Sequence, residues 1–291
     1  METKEIAMSK RTKLLGTACV LATALAAGPA AADTLAGFNG FADTQYTHTS
    51  FTSCNGCAAL NTASLGLGMA LPLADLPNLN WQMDGQYEHD WWTRSGNNHS
   101  QEVWDFGLSP FWAGPQSRFG LNLAYETVTR TGHDTNGGAF MEWYLTDAIT
   151  LAAKGGYLSD GGTPNGGHGA YIGGEGTFYP IPDAAVSVFI DYQDHNTASF
   201  QFSGATCVAG LSCPSAHISA TSFGISGEYL PVEDIGLAIF AGFTYTENGG
   251  ILGSPKGSML NIGLKYYTGV AGGSLENRQR NGSLRDWLRG P

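Results

Sequence analysis

Residues 79–91 read LNWQMDGQYEHDW, and this stretch decides the fold. Its odd positions are mostly large and apolar or aromatic, whereas its even positions are all polar or acidic. A period of two places these sets on opposite faces of a β-strand, because neighbouring side chains of a strand point to opposite sides. The same alternation recurs at 104–112, 119–126, 186–193 and 260–267. The pattern therefore predicts an all-β protein.

Turn-forming residues divide the chain into strands of similar length. The predicted strands cover residues 36–49, 60–72, 79–93, 101–113, 117–130, 137–146, 148–159, 169–180, 184–195, 217–230, 235–247 and 257–269. Connections after even-numbered strands are short, and most of those after odd-numbered strands are longer, as at 94–100, 131–136, 160–168, 196–216 and 248–256. Tight turns at one end and long loops at the other are typical of membrane barrels. We predict a transmembrane antiparallel up-and-down β-barrel of twelve strands, within a range of about ten to fourteen.

Composition excludes several classes of protein. The chain has 291 residues, of which 13% are charged, with a net charge of −11. So few charges are atypical of disordered and coiled-coil chains, and an acidic chain lacks the basic surface that nucleic acid requires. After the N-terminal segment no apolar run is long enough for a transmembrane helix. Strands that cross a membrane are not excluded, because their signal is spread over many short segments.

The N-terminal segment predicts export. Basic residues within 1–13 precede an apolar run from Leu14 to Ala27 and a small-residue cleavage site ending at Ala32, so residues 1–32 are predicted to be a cleaved signal peptide. Export makes disulfides plausible between the remaining cysteines. These four fall into two close pairs, and local pairing is the simplest of their three connectivities; they are Cys54, Cys57, Cys207 and Cys213.

These features together resemble a Gram-negative outer-membrane β-barrel protein of the single-chain, porin-like kind, over nearly all of residues 33–270. The last strand carries Asn261, Gly263 and Tyr266 in a pattern similar to the signal that such proteins present to the barrel-assembly machinery. The resemblance implies an outer-membrane location and contact with membrane lipid. This chain departs from the pattern by continuing past the last strand. We interpret residues 271–291 as a C-terminal periplasmic tail, which is solvated, touches acidic protein or folds into the pore.

The polar faces of the predicted strands supply a lumen lining. With Arg130 counted among them, nine acidic residues face four basic ones there, about two to one, and carboxylates of this kind favour cations. The predicted pore-lining residues are Asp84, Glu88, Asp90, Asp105, Arg118, Glu126, Glu142, Lys154, Glu175, Asp191, Glu228 and Lys265. We therefore predict a passive, porin-like channel for small hydrophilic solutes that are cationic or neutral. No cofactor, metal or nucleic-acid partner is predicted.

Four alternatives stay open. One is a soluble sandwich or secreted barrel with its apolar face inward. Another is a narrow barrel sealed by internal ion pairs. A third is a non-transporting surface barrel, in which the cysteine-bearing outer loops are the functional part. The fourth is a hydrolase, because His217 and Ser219 resemble the His-x-Ser motif of outer-membrane phospholipases, and two residues apart on one strand they share a face. The match covers three residues and lacks the Asn-Gly that follows it in that family, so we do not predict an enzyme.

Overall fold

The computed structural model describes residues 39–52, 58–73, 76–94, 97–129, 132–160, 167–197, 216–232, 235–250, 256–269, 273–282 and 284. The predicted signal peptide, residues 1–32, lies outside the described residues. The same holds for Cys54, Cys57, Cys207 and Cys213. The signal peptide and the disulfides therefore stay predictions.

Twelve antiparallel strands form one closed barrel, as predicted. In chain order they are β1 (Asn39–Thr52), β2 (Leu60–Leu73), β3 (Leu76–Arg94), β4 (Asn97–Ala113), β5 (Ser117–Val128), β6 (Gly132–Thr146), β7 (Ile149–Asp160), β8 (Gly167–Ile181), β9 (Ala184–Thr197), β10 (Ala216–Val232), β11 (Leu237–Gly250) and β12 (Lys256–Thr268). Each strand pairs with its sequence neighbours, and β1 pairs with β12 from Gly40 opposite Thr268 to Thr52 opposite Lys256. Closure leaves no strand edge unpaired.

The two faces of the wall have opposite polarity, and the apolar face is the outer one. In β5 the side chains of Phe119, Leu121 and Leu123 are 50–55% exposed, whereas Arg118 and Asn122, which alternate with them, are 1% exposed. A soluble barrel would bury the first set and expose the second. An apolar outer face around a polar interior is the arrangement required in lipid, so the predicted choice of faces is confirmed and the soluble alternative is wrong.

Two predicted loops are wrong because the strands continue through them. The expected connection 94–100 shrinks, since β3 ends at Arg94 and β4 begins at Asn97, and the expected loop 131–136 lies almost wholly in β6, which begins at Gly132. These extensions are polar on both faces, with His99 and Ser100 adjacent in one and His133 and Asp134 in the other. Alternation therefore disappears from the sequence although pairing continues. We call this end of the barrel the loop end, and the opposite end, with its short connections, the tight-turn end.

The segment after β12 folds back into the barrel. Residues Leu275–Asn281 form a short helix, α1, whose N-cap is Ser274; its hydroxyl accepts a hydrogen bond of 3.3 Å from the backbone N–H of Asn277. Leu275 and Leu284 are completely or almost completely buried against the barrel wall. Residues 273–282 and 284 thus lie against the inner wall of the barrel, as expected if the segment folds into the pore.

No helix in the described part of the chain is both long enough and apolar enough to cross a bilayer.

Candidate functional site: the barrel lumen

All twelve predicted lining residues occupy inward-facing positions of their strands, with outward-facing neighbours on either side. They come from nine strands and therefore surround the lumen. They are Asp84, Glu88, Asp90, Asp105, Arg118, Glu126, Glu142, Lys154, Glu175, Asp191, Glu228 and Lys265. Some of the acidic residues lie together towards the loop end. The other lining residues form ion pairs or pack against neighbouring side chains elsewhere in the lumen.

The acidic group occupies one side of the lumen, on β3 to β6. Glu88, Asp90, Asp105, Glu126 and Asp134 lie near enough for their charges to repel one another. We call these five residues the acidic face. Sequence reasoning missed Asp134 because it was assigned to a loop. If β6 had been predicted to begin at Gly132, Asp134 would have been placed beside Glu126 on β5, with which it pairs in the structure.

Neighbouring amides and hydroxyls hold the carboxylates of β3 in position. Gln86 donates a hydrogen bond of 2.6 Å to Glu88. Asp90 accepts bonds from Thr62, at 2.5 Å, and from Gln101, at 2.9 Å. Because the donors are neutral, they orient the carboxylates without cancelling their charge. The acidic face therefore keeps a negative field inside the lumen.

The three predicted basic lining residues that the structure describes are paired or packed away from this face. Arg118 forms a buried ion pair of 2.5 Å with Glu142, and Lys154 lies 3.4 Å from Asp191. Lys265 lies over two aromatic rings, the nearer at 4.8 Å. Arg118 and Lys265 belong to the tight-turn half of the barrel, near the beginning of β5 and the end of β12. Among the described residues, these three basic side chains are therefore engaged away from the acidic face.

Arginine contacts fix the C-terminal segment across the tight-turn end. Arg118 donates from Nη2 to the carbonyl oxygen of Gln279, at 2.6 Å, and from Nη1 to that of Gly282, at 3.2 Å. Arg280 reaches the opposite way, donating to the carbonyl oxygens of Thr146, at 2.6 Å, and Ile149, at 3.2 Å. Its guanidinium also lies between two tyrosine rings, 5.1 and 5.2 Å from their centres.

Further bonds join the segment to other parts of the wall. The Gln279 side chain accepts from the Tyr179 hydroxyl at 2.9 Å and donates to Glu228 at 3.0 Å. The backbone N–H of Leu284 donates to Gln82 at 2.5 Å. The partners therefore lie on β3, β5, β6, β7, β8 and β10, on several sides of the barrel. We call residues 273–282 together with Leu284 the C-terminal plug, because the segment crosses the lumen.

Apolar side chains also join the C-terminal plug to the wall. Leu284 packs in a buried cluster with Phe111 and Phe140, and Leu275 packs in a second cluster with Leu230. These wall residues point inward at the tight-turn end. In an open aqueous pore such apolar side chains would be exposed to water, which is unfavourable. Inward phenylalanine and leucine at this end were the sequence signal for the plug.

A cavity remains at the loop end of the lumen. Its volume is about 290 Å³, and its wall comes from β11, β12, β1, β2 and β3. Two carboxylates of the acidic face contribute to it, together with amides, threonine hydroxyls and a few apolar groups. Among the lining residues are Gln45, Thr47, Phe51, Glu88, Asp90 and Asn248. We call this cavity the outer cavity.

Two further sequence hypotheses have different outcomes. Ser219 lies near the beginning of β10, but the side chain of His217 is outside the described residues, so the hydrolase motif stays a prediction. Within the described ranges, no group of three His, Cys, Asp or Glu side chains is placed to hold a metal ion.

Comparison with known proteins finds solved structures with a similar fold, but no related sequence family. No protein-family profile matches the chain, and no curated protein sequence matches it either. An outer membrane channel from Pseudomonas putida F1 superposes with a TM-score of 0.54 at 10% identity, covering 80% of this chain and 96% of that one. The chain has the fold of outer-membrane porins. The NanC porin agrees, with a TM-score of 0.50 at 11% identity, covering 77% of this chain and 98% of its own. The predicted resemblance is thereby confirmed as a likeness of fold.

Proposed function

We propose that the protein is a passive channel of the outer membrane for small hydrophilic solutes that are cationic or neutral. The observation that carries this proposal is the acidic face, a group of five carboxylates inside a closed, lipid-compatible barrel, while Arg118 and Lys154 of the described lining pair with other carboxylates. Rings and clusters of Asp and Glu concentrate cations and repel anions in narrow aqueous passages.

The C-terminal plug gives the channel a closed resting state. Its bonds reach several sides of the wall at the tight-turn end, so ions pass only when the plug moves aside. Export through the predicted signal peptide would place this end in the periplasm. Membrane lipid around the apolar outer face and the barrel-assembly machinery during insertion are the partners that this function requires.

The test is single-channel recording of the full-length protein in planar bilayers. In a KCl gradient the current through the open channel should reverse at a potential whose sign indicates that K⁺ passes more readily than Cl⁻. Replacing Glu88 by Gln and Asp105 by Asn should move that potential towards zero, because both carboxylates belong to the acidic face. Glu247→Gln is the matched control, since Glu247 is half-exposed beside Lys256 at the loop end, outside the lumen lining.

An anion-selective channel would overturn the proposal. Complete silence would also overturn it, provided that variants with a loosened plug are silent too. That second result would favour the alternative of a non-transporting surface barrel, which a permanently docked plug would suit. The plug is the specific observation that keeps this alternative in view.

A further inference from the structure

We propose that the outer cavity is a binding site for a small organic cation that also carries several hydroxyl groups, of the amino-sugar class. This inference rests on the proposed function, since it names the class of solute that such a channel would admit. It starts from the position of the cavity. The cavity lies at the loop end, whereas the plug contacts the wall at the tight-turn end, so in the proposed closed state a solute that arrives from the loop side reaches the cavity first.

The charge of the ligand follows from one wall of the cavity. Glu88 and Asp90 both line it and are two residues apart on β3, so their carboxylates project from the same face. Each is oriented by neutral donors, and no described arginine or lysine lines the cavity. A ligand ammonium group in this position would receive charge-assisted hydrogen bonds, the stronger kind.

The remaining lining fits hydroxyl groups rather than a simple alkyl cation. The part of the wall formed by β1 and β11 presents the Gln45 and Asn248 amides and the hydroxyls of Thr47 and Thr246. Amides and hydroxyls both donate and accept, so they match ligand hydroxyls in either sense. Asn248 is 5% exposed and Thr47 is 6% exposed, so these groups are fixed in the wall and do not move freely in solvent.

An apolar patch completes the match. Phe51 and Leu60 line the same cavity, at the rim where β1 ends and β2 begins. A pyranose ring has polar edges and a face of carbon-bound hydrogens, and that face packs against aromatic and aliphatic side chains. The volume of about 290 Å³ is near the lower limit for small-molecule pockets and suits a monosaccharide rather than a long oligosaccharide.

The experiment is titration calorimetry on the full-length protein in detergent micelles at physiological salt, where long-range charge effects are screened. The ligands are D-glucosamine, D-glucose, D-glucuronate and ethylamine, which separate charge from hydroxyl content. Glucosamine should bind about tenfold more tightly than glucose, because one charge-assisted bond is worth about that factor, and glucuronate should not bind. Ethylamine should bind more weakly than glucosamine.

Variants locate the site. Glu88→Gln should weaken glucosamine binding about tenfold and leave glucose binding unchanged, whereas Phe51→Ala should weaken both sugars. Glu247→Gln, on the outer side of the rim, should change neither. Equal binding of glucose and glucosamine, or equal binding of ethylamine and glucosamine, would overturn the inference.

Bilayer recordings on the same preparations separate this inference from the channel itself. A cation-selective channel that binds no glucosamine overturns the amino-sugar site and leaves the channel proposal standing. A protein that binds glucosamine but never conducts, even with its plug loosened, supports the site and overturns the channel.

Discussion

Replacing Arg280 by Ala should open the barrel, because this side chain anchors the plug to the wall. Its guanidinium donates to the carbonyl oxygens of Thr146 and Ile149 and to the hydroxyl of Thr150. It also pairs with Glu276 at 2.7 Å within the plug itself. The contacts to the wall are the ones lost on undocking, so they set the size of the effect.

The magnitude follows from the two carbonyl bonds. A hydrogen bond to a charged group contributes about 1.5 kcal/mol at the low end of the measured range, so two contribute about 3 kcal/mol. Since about 1.4 kcal/mol corresponds to a factor of ten, the ratio of undocked to docked plug should rise roughly 150-fold. Arg280→Lys should give a smaller rise, because an ammonium group keeps the charge but loses the planar fork.

Two readouts on the same protein test this prediction. Potassium flux from loaded vesicles reports opening, and the rate of subtilisin cleavage of the C-terminal segment reports undocking. Asn281→Ala is the matched control, because Asn281 is exposed on the same helix and, among the described residues, its side chain bonds to Asn277 and not to the wall. The barrel itself should stay folded in each variant, as judged by its compact migration on unheated gels.

The refuting result is specific. If cleavage of the segment accelerates in the Arg280→Ala protein while flux stays at the level of the Asn281→Ala control, the plug is not what closes the lumen. If neither changes, the guanidinium contacts do not hold the plug, and the energetic reasoning fails.

Two further predictions concern the wall. Leu123→Arg places a charge on the lipid-facing side near the middle of β5, where Leu123 is 55% exposed, and should lower the free energy of unfolding in lipid vesicles by about 2–4 kcal/mol, measured by urea titration. Gly138→Val should destabilise the barrel by about 1–3 kcal/mol in the same titration, because even the first added carbon would lie 2.6 Å from the Gly155 carbonyl oxygen and would displace the Tyr171–Asn122 hydrogen bond. An unchanged unfolding curve in either variant would contradict the corresponding assignment of faces.

The strands and their faces were predictable because period-two alternation survives wherever one side meets lipid and the other does not. In β5 the large apolar residues Phe119, Leu121 and Leu123 alternate with small or polar residues, and the structure follows this pattern. The prediction failed where this contrast ends. His133 and Asp134 belong to β6, yet both faces are polar there, so nothing in the local sequence distinguishes paired strand from loop.

The plug was less accessible to sequence reasoning, for a physical reason. Residues 275–281 read LENRQRN, which contains a single apolar residue and therefore looks like a solvated tail. Arg278 and Arg280 are nevertheless 4% and 9% exposed, because carbonyl oxygens of the backbone satisfy them. A sequence cannot show which backbone carbonyl oxygens at the turns of a barrel have no hydrogen bond within the strand ladders. The complementary signal lay in the inward-facing aromatic residues of the wall.

The wall and the plug each contain groups that the other satisfies, and this mutual dependence makes the docked state specific. Arg118 is 1% exposed and divides its donors between Glu142 and two plug carbonyls. If the plug leaves, Arg118 does not become a bare buried charge, because water enters the lumen and takes over those bonds. Each exchange then changes the free energy by the net value of a hydrogen bond to a charged group, about 1.5–3 kcal/mol, and not by the far larger penalty of an unpaired ion. A closure held by a small number of such exchanges can be shifted by one substitution, whereas the strand ladders around it stay intact.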